Sequence, residues 1–316
     1  MMENSKICVY LGEALAAYGF GDEHPFGPQR HAVFQQAFLA QHLDTRVDVL
    51  SPAQAEQAVI ELFHSHEYVE QVRAQSLTGT GYLDYGDTPA FKGVYEAAAT
   101  VVGTVIHAAD RLLANEYQQA FVPIAGLHHA RRDRAAGFCV FNDCGVTIEY
   151  LKQQGLKQIL YVDIDAHHGD GVFYGFEEDP DLIFVDIHES GDYLYPGTGF
   201  ASETGKGPGQ GLKLNIPMLP GADDEAFYQA WHQAEVFFNR FQPEFILLQA
   251  GVDSMAGDPI TDMHYSSAVH AYVIRALVKL AQQHCNGRLL VLGGGGYNPA
   301  NIASGWTAVV RALSEA

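Results

Sequence analysis

The sequence has little positive charge, few cysteines and no long apolar run. It contains 18 Lys and Arg residues against 38 Asp and Glu residues, which gives a formal net charge of −20 over 316 residues. This balance argues against nucleic acid or an anionic membrane surface as a partner, because both require a basic patch. It is compatible with cationic partners such as lysine-rich peptides and polyamines, and equally with solubility alone.

The four cysteines form no CxxC pair and no dense pattern. We interpret them as reduced thiols of a cytoplasmic protein. The first residues lack a basic segment followed by an apolar run, so no signal peptide is expected. No apolar stretch reaches the ~18 residues of a membrane span, so no membrane association is expected either.

Short apolar segments alternate with longer helical patterns along the whole chain. Strands are predicted over residues 7–10, 120–124, 159–164, 182–187, 245–249 and 289–292. Helices are predicted over residues 31–42, 51–72, 91–113, 143–154, 224–241, 266–284 and 298–313. This alternation predicts an α/β fold with three αβα layers and a mostly parallel central sheet. No break in composition divides the chain, so we expect a single domain over residues 1–316.

The most informative stretch is residues 161–172, which read YVDIDAHHGDGV. It begins as an apolar strand, and the glycines of its GDG triplet are expected to end regular structure. Residues two apart on a strand face the same side, so Asp163, Asp165 and His167 can project together. Mixed carboxylate and imidazole ligands suit a divalent metal, with Zn²⁺ the default in an open catalytic site. A solvated acidic turn is the alternative.

Other polar residues follow further predicted strands. His128 and His129 follow the strand at 120–124; they could exchange protons with the help of a buried acid, or be ordinary surface or core histidines. Asp253 follows the strand at 245–249 and could complete a set of two aspartates and one histidine, or be a loop residue. Tyr297 follows four consecutive glycines. It could polarise a carbonyl group, or be a buried tyrosine at a helix start.

Together these segments resemble the zinc-dependent histone deacetylase superfamily. The motifs that carry the resemblance occur in the family's order: HHA…GFCVFND, DIDAHHGDGV, YPGTG, GVDSMAGDP and GGGGYN. Two segments nearer the N-terminus, HPFGPQR and DTPAFKGVYEAA, are similar to bacterial acetoin-utilisation deacetylases and class I enzymes. The resemblance implies the arginase/deacetylase fold and the metal-dependent removal of acetyl groups from lysine side chains of proteins or peptides.

The resemblance also implies roles for individual residues. One Zn²⁺ per chain would be bound by Asp165, His167 and Asp253. Two histidine–aspartate pairs would form, His128 with Asp163 and His129 with Asp170. His129 would act as the general base toward the attacking water and then protonate the leaving amine, while His128 would tune the pair electrostatically. Tyr297 would donate a hydrogen bond to the amide oxygen.

Substrate binding is assigned by the same resemblance. The implied residues are Asp87, Gly137, Phe138, Tyr195 and Gly295. Asp87 would hold the substrate backbone at the rim, and the aromatic residues would line a narrow tube for the acyl-lysine stem. Asp186 stands where class I enzymes usually place a serine near a potassium site, so a structural K⁺ is a further candidate that could be bound differently or not at all.

Three other functions stay in view. The substrate could be an acetylated polyamine or another small acylated amine instead of protein lysine. The chain could also be a non-catalytic module that binds acyl-lysine, although every catalytic position is filled. A binuclear manganese ureohydrolase is disfavoured, because Met255 stands where a second metal would need a harder ligand.

Overall fold

The computed structural model describes residues 7–21 and 23–316. Eight strands form one sheet: β1 (Ile7–Tyr10), β2 (Asp48–Leu50), β3 (Gln119–Val122), β4 (Ile159–Asp163), β5 (Leu182–Glu189), β6 (Lys213–Met218), β7 (Phe245–Gln249) and β8 (Leu289–Leu292). Their spatial order is β2-β1-β3-β8-β7-β4-β5-β6. Neighbouring strands are parallel throughout. The prediction of an α/β fold with a mostly parallel sheet is confirmed.

Helices connect the strands in the way that parallel pairing requires. They are α1 (Glu13–Ala16), α2 (Gln29–Ala40), α3 (Gln57–Ile60), α4 (His66–Thr78), α5 (Val94–Leu113), α6 (Asp143–Gln153), α7 (Asp170–Gly175), α8 (Asp224–Phe238), α9 (Ser267–His284), α10 (Pro299–Asn301) and α11 (Thr307–Glu315). A π-helical turn (Ile302–Trp306) joins the last two helices. Within the described ranges, no helix is both long and apolar enough to cross a membrane.

Two layers of helices cover the sheet. In one layer, α11 packs against α9 and α2, and α8 packs against α9 and against strands β5 and β6. In the other layer, α5 contacts α3, α4 and α6 and lies on β3 and β8. Strands β4, β7 and β8 between the layers are buried along their whole length. Their nearly continuous apolar sequences reflect burial on both faces.

Polar residues of three neighbouring strands meet toward the carboxyl edge of the sheet. Asp163, the last residue of β4, is paired with Asp186 of β5 on one side and with Gln249 of β7 on the other. All three side chains are buried. The register therefore brings polar groups from three strands together where the apolar core stops.

The structure differs from the predicted elements at both edges of the sheet. Strands β2 and β6 were not predicted, because Asp48, Lys213 and Asn215 interrupt the apolar pattern that identifies a strand. The prediction of one helix over residues 51–72 is wrong, since the chain forms α3 and α4 there. Ser65 starts the second helix by accepting the N–H of Tyr68 over 3.2 Å. This N-cap outweighs the continuous helical pattern.

The GDG triplet also behaves differently from the prediction. Helix α7 begins at Asp170, so the glycines do not end regular structure. Gly171 is needed for close packing, because a Cβ there would lie 2.4–2.6 Å from the carbonyl oxygens of His128, His129 and Ala130. The first turn of α7 is thereby held against the segment that carries the two adjacent histidines.

Candidate active site

The candidate site lies at the carboxyl edge of four adjacent strands, β3, β8, β7 and β4. Strand β3 leads to His128 and His129, and β4 leads to the run from Asp163 to Asp170. Asp253 follows β7, and Tyr297 follows β8. Segments that are far apart in the sequence meet here because parallel strands end at the same edge, which is where open α/β sheets bind ligands.

A buried cluster of side chains that could bind a metal ion forms the base of the site. Ligand atoms of Asp165, His167 and Asp253 all lie within 4.8 Å of one another. Nδ1 of His167 is 3.1 Å from Oδ1 of Asp165 and 3.1 Å from Oδ2 of Asp253. Two carboxylate oxygens and one imidazole nitrogen therefore face a common point, as a metal site with three protein ligands requires.

The second oxygen of each carboxylate is held by the protein. Oδ2 of Asp165 accepts hydrogen bonds from Nε2 of Gln249 at 2.7 Å and from the backbone N–H of Gly295 at 2.8 Å. Oδ1 of Asp253 accepts the N–H of Ala166 at 2.9 Å. These bonds fix the orientation of both carboxylates, so the oxygens that face His167 are preorganised.

Two glycines create the space in which these carboxylates lie. A Cβ on Gly251 would be 2.1 Å from Oδ2 of Asp165, and a Cβ on Gly295 would be 2.0 Å from Oδ2 of Asp253. Any side chain at either position would displace a carboxylate. The residues present thus fit a metal ion in donor type, spacing and enclosure. Gly295 lies against the metal-binding carboxylates, and its role in substrate binding stays a prediction.

Two histidine–aspartate pairs lie beside the metal-binding cluster. Nδ1 of His128 is 2.8 Å from Oδ2 of Asp163, and Nδ1 of His129 is 2.7 Å from Oδ1 of Asp170. The two imidazole rings are 4.2 Å apart between centroids. Because each Nδ1 faces a carboxylate, Nε2 is the nitrogen that each ring can use to exchange a proton.

The surroundings of the two histidines push their pKa values in opposite directions. Burial disfavours the charged form of His128, but the carboxylates of Asp163 and Asp165 outweigh it and raise the pKa of His128 above its usual range. Burial and the neighbouring charge of His128 lower the pKa of His129. The surroundings therefore favour the charged form of His128 over that of His129, and the two titrations are coupled.

Further groups hold the two aspartates of these pairs. The hydroxyl of Tyr161 donates to Oδ2 of Asp163 over 2.5 Å. Nη2 of Arg131 donates to Oδ2 of Asp170 over 2.6 Å. Asp170 is buried, yet its hydrogen bond with His129 and the positive charge of Arg131 keep its pKa below the usual range. Asp170 therefore stays a carboxylate beside His129.

Aromatic rings lead from the surface to this cluster. The ring of Tyr195 lies 5.1 Å from that of His129, and the ring of Phe138 lies 5.9 Å from that of Tyr297. Gly137 lies between them with φ of +53°, and a Cβ there would be 2.6 Å from the imidazole of His129. Only glycine fits a position that combines this backbone angle with so little space.

Backbone contacts hold Phe138 and place the predicted rim residue nearby. The N–H of Phe138 donates to the hydroxyl of Thr88 at 3.1 Å, and its carbonyl accepts the hydroxyl of Tyr18 at 2.7 Å. Asp87 precedes Thr88 and is exposed at the surface. The structure therefore brings Asp87, Gly137, Phe138 and Tyr195 to the same opening.

Tyr297 is positioned by a buried arginine. The guanidinium of Arg30 donates to the carbonyl of Gly294 at 2.6 Å and to the carbonyl of Gly296 at 2.9 Å. Gly296 is the residue just before Tyr297. The N–H of Tyr297 donates to Oδ2 of Asp258 at 2.8 Å. Burial and the charge of Asp253 raise the pKa of the Tyr297 phenol well above its usual value, so the hydroxyl remains a donor.

Comparison with known proteins identifies the family to which this site belongs. Residues 24–313 match the histone deacetylase domain.

The chain belongs to the histone deacetylase family.

Its similarity to other members extends over most of its length. The acetoin utilization protein AcuC of Bacillus subtilis (strain 168) is 36% identical over 292 residues, which cover 89% of this chain and 75% of that protein. AcuC of Staphylococcus aureus (strain MRSA252) is 33% identical over 320 residues, which cover 98% of this chain and 80% of that protein. The solved HDA15 HD domain superposes with a TM-score of 0.92 at 27% identity, covering 98% of this chain and 88% of that one.

Membership of the histone deacetylase family confirms three of the predictions. The superfamily and its acetoin-utilisation branch are confirmed by these relatives. The α/β deacetylase fold is confirmed by the superposition. The chain is a hydrolytic deacetylase, so an enzyme is favoured over a binding module, and its substrate is an acetylated molecule. Its buried Asp–His–Asp group could hold a metal ion.

Four supporting residues of this deacetylase site were not predicted: Arg30, Tyr161, Gln249 and Arg131. Weak signals for them exist in the sequence. Gln249 is the polar end of an apolar strand, and Tyr161 lies two residues before Asp163 on the same strand face. Arg30 ends a segment that resembles the family, but nothing local shows that it contacts a loop 264 residues away.

Proposed function

We propose that this histone deacetylase family member is a metal-dependent amide hydrolase that removes acetyl or other acyl groups from lysine side chains of proteins or peptides. The proposal is supported by one observation: a buried Asp–His–Asp cluster and two histidine–aspartate pairs meet behind an aromatic opening. An amide is a poor electrophile with a poor leaving group. Its hydrolysis therefore needs an activated nucleophile, a proton donor and a polarised carbonyl.

Asp165, His167 and Asp253 would hold one divalent ion per chain. Two carboxylates and one imidazole suit Zn²⁺ in an open catalytic site, although Fe²⁺ or Co²⁺ would find the same ligands acceptable. When bound, the ion would polarise the amide carbonyl and lower the pKa of a water molecule, which supplies a nucleophile near neutral pH.

The two histidines would divide the proton transfers between them. His129, the imidazole with the lowered pKa, takes the proton of the attacking water and later gives it to the leaving amine. Asp170 fixes the tautomer of His129 through its 2.7 Å contact with Nδ1. His128 would tune the pair electrostatically beside Asp163, because positive charge on its imidazole favours the negative charge that develops on the reacting amide.

Tyr297 would stabilise that developing charge. Its hydroxyl stays protonated and donates to the amide oxygen, and one such donor typically contributes about 3 kcal/mol to lowering the barrier. Arg30 holds the backbone on both sides of Gly295 and so keeps the phenol in place. The donor is therefore preorganised and needs no rearrangement during the reaction.

The aromatic opening would select the acyl-lysine side chain. Phe138 and Tyr195 flank Gly137, so an aliphatic stem that ends in a neutral amide can pass between them. A charged lysine is disfavoured there because the rings replace its hydration shell without compensating hydrogen bonds. The deacylated product would for this reason leave the tube. At the rim, Asp87 would accept backbone N–H groups of a peptide.

Other expectations about the chain remain part of this proposal. A single catalytic domain over residues 1–316 is supported by one sheet that contains all eight described strands. A cytoplasmic location is supported by four buried free thiols, Cys8, Cys139, Cys144 and Cys285. A structural K⁺ is less well supported, because Asp186 is already engaged by Nδ1 of His188 at 2.7 Å and by the N–H of Gly169 at 2.8 Å.

Small acylated amines are the alternative substrates. The net charge of −20 favours cationic molecules, and an acetylated polyamine carries several positive charges. The exposed rim residue Asp87 favours a peptide backbone instead. Protein or peptide lysine is the substrate class that the opening supports better.

The test is the release of acetate from an acetyl-lysine peptide by the zinc-loaded protein. A chelator should abolish release, and added Zn²⁺ should restore it. The same protein is then given N-acetylspermidine at the same concentration. Faster turnover of the polyamine would favour small acylated amines as the substrate class. No acetate release from either substrate would contradict the proposed function.

A further inference from the structure

A second groove opens beside the aromatic tube. It has a volume of about 460 Å³ and shares Tyr195 with the tube. Its charged lining residues are three aspartates, Asp84, Asp87 and Asp170, and two arginines, Arg131 and Arg134. Residues next to an acyl-lysine in the tube can reach this groove, because consecutive residues of an extended chain are only about 3.5 Å apart.

The two arginines are presented together by a tight turn. The N–H of Arg131 donates to the carbonyl of Arg134 at 2.9 Å, and the two residues form an antiparallel bridge. Side chains of directly opposed residues in such a bridge project to the same side. Only Ala130 separates the histidine pair from this turn, so the position of the turn relative to the active site is fixed by the fold.

The two guanidinium groups differ in how firmly they are held. Arg131 donates to buried Asp170 at 2.6 Å and lies 4.7 Å above the ring of Tyr174, with 27% of its side chain exposed. Arg134 is 44% exposed and donates to Asp133 over 3.2 Å, and Asp133 is itself 67% exposed. An exposed ion pair of this kind contributes little, so Arg134 can exchange its partner at low cost.

Two of the aspartates that line the groove are already engaged by other groups of the protein. Asp84 accepts the N–H groups of Gly86, Asp87 and Thr88 through Oδ1 at 3.0–3.1 Å. Its Oδ2 accepts the hydroxyl of Thr88 at 2.5 Å. The carboxylate of Asp84 is thus engaged by its own loop. Asp170 is engaged by His129 and Arg131, which leaves Asp87 and Arg134 as the exposed charged groups of the groove. Arg134 therefore supplies an available positive charge in a protein whose net charge is −20.

We propose that this groove recognises an acidic side chain close in sequence to the acyl-lysine, and that Arg134 is the residue that binds it. The inference rests on the proposed lysine deacylase function and specifies its substrate as acyl-lysine in an acidic context. A carboxylate matches the planar donor set of a guanidinium, and an acidic residue within two positions of the lysine could reach the groove. Arg131 adds positive charge but remains bound to Asp170.

The test compares three acetyl-lysine peptides that differ only in the residues flanking the lysine, which are Glu, Ala or Lys. For the wild-type chain we expect kcat/KM for the Glu peptide to exceed that for the Lys peptide by about 3- to 5-fold, the size of one solvent-exposed ion pair. Arg134→Gln should remove most of this preference, and Arg134→Glu should reverse it. The preference should shrink as salt is raised, because rim charges are screened.

Arg240→Glu is the matched control. It makes the same change in net charge as Arg134→Glu. Arg240 is an exposed arginine that follows α8 and lies near the amino ends of β4 and β5, away from the candidate site. This variant should keep the wild-type preference for the Glu peptide. That result would distinguish a local contact with Arg134 from an effect of the net charge of the protein. Equal turnover of the three peptides, a preference for the Lys peptide, or the same ratio in Arg134→Glu would overturn the inference while the lysine deacylase function stands. No turnover of the Ala peptide would overturn both.

Discussion

The backbone N–H of Gly295 donates a 2.8 Å hydrogen bond to Oδ2 of Asp165. The same residue has no room for a side chain, because a Cβ would lie 2.0 Å from Oδ2 of Asp253. A loop that follows β8 therefore positions carboxylates that follow β4 and β7. The geometry of the proposed metal site therefore depends on Gly295, a residue that would not itself coordinate the metal.

Gly295→Ala should weaken metal binding without removing any ligand. The new methyl group would displace the carboxylate of Asp253, and loss of such supporting geometry typically costs about 10- to 100-fold in metal affinity. Activity should fall with metal content and recover in part when excess Zn²⁺ is added. Metal content after dialysis and a Zn²⁺ titration followed by activity measure both effects.

Two further variants bracket this result. Gly155→Ala changes a glycine with positive φ and nothing within 4 Å of a Cβ, so it should lower stability but leave metal affinity unchanged. Asp165→Ala removes a ligand and should abolish stoichiometric metal binding. Wild-type metal affinity in Gly295→Ala would contradict the proposed arrangement of the site.

Tyr297→Phe should keep the metal and the fold but lose most of the turnover. Removing a single hydrogen-bond donor to a developing oxyanion lowers kcat by about 10²- to 10³-fold. The readouts are kcat, metal content and thermal unfolding of the same preparation. Tyr228→Phe removes a hydroxyl from α8, outside the candidate site, and should leave all three unchanged. Near-normal kcat in Tyr297→Phe would exclude its proposed role.

The local part of the site could be predicted from the sequence, and the long-range part could not. Asp163, Asp165, His167 and Asp170 lie within eight residues, so strand periodicity alone suggests a cluster. The pairing of His128 with Asp163 spans 35 residues and was expected only through the resemblance to deacetylases. No local pattern indicates that Gln249 holds Asp165, because that contact depends on the order of strands in the sheet.

The fold shows the same division between local and long-range information. The central strands are buried on both sides, so they appear as unbroken apolar runs and were predicted within about two residues. The edge strand β6 carries Lys213, whose Nζ donates to the carbonyls of Asp179 and Leu182 at 2.8 and 2.7 Å. A buried lysine that caps backbone carbonyls cannot be distinguished in the sequence from a surface lysine.

The histidine pair gives a prediction about unequal roles. His129→Ala should reduce kcat far more than His128→Ala, because only His129 has the lowered pKa that leaves it neutral and able to accept a proton. A general base typically contributes about 10²- to 10⁴-fold, and a neighbouring charge contributes less. Both variants should be assayed at equal metal content. Equal losses would contradict the division of roles between the two residues.

The rim gives a prediction about pH. Asp87 lies beside Asp84, and the hydroxyl of Thr88 is 3.2 Å from Oδ1 of Asp87. Partial desolvation and the neighbouring Asp84 carboxylate raise the pKa of Asp87 to about 7. A raised pKa means that the carboxylate forms only as pH rises through that value. Since the carboxylate accepts peptide N–H groups and the neutral acid is a poorer acceptor, peptide affinity should increase from about pH 6 to about pH 8.

The affinity can be measured apart from catalysis by using the Tyr297→Phe variant as a background of low turnover. The Kd of an acetyl-lysine peptide should fall across this pH range, and adding Asp87→Asn should weaken binding and flatten the profile, because an amide does not titrate there. Asp44→Asn changes an exposed aspartate that follows α2, outside the candidate site, and should retain the profile. The same pH dependence with and without Asp87→Asn would show that a group other than Asp87 controls peptide binding in this range.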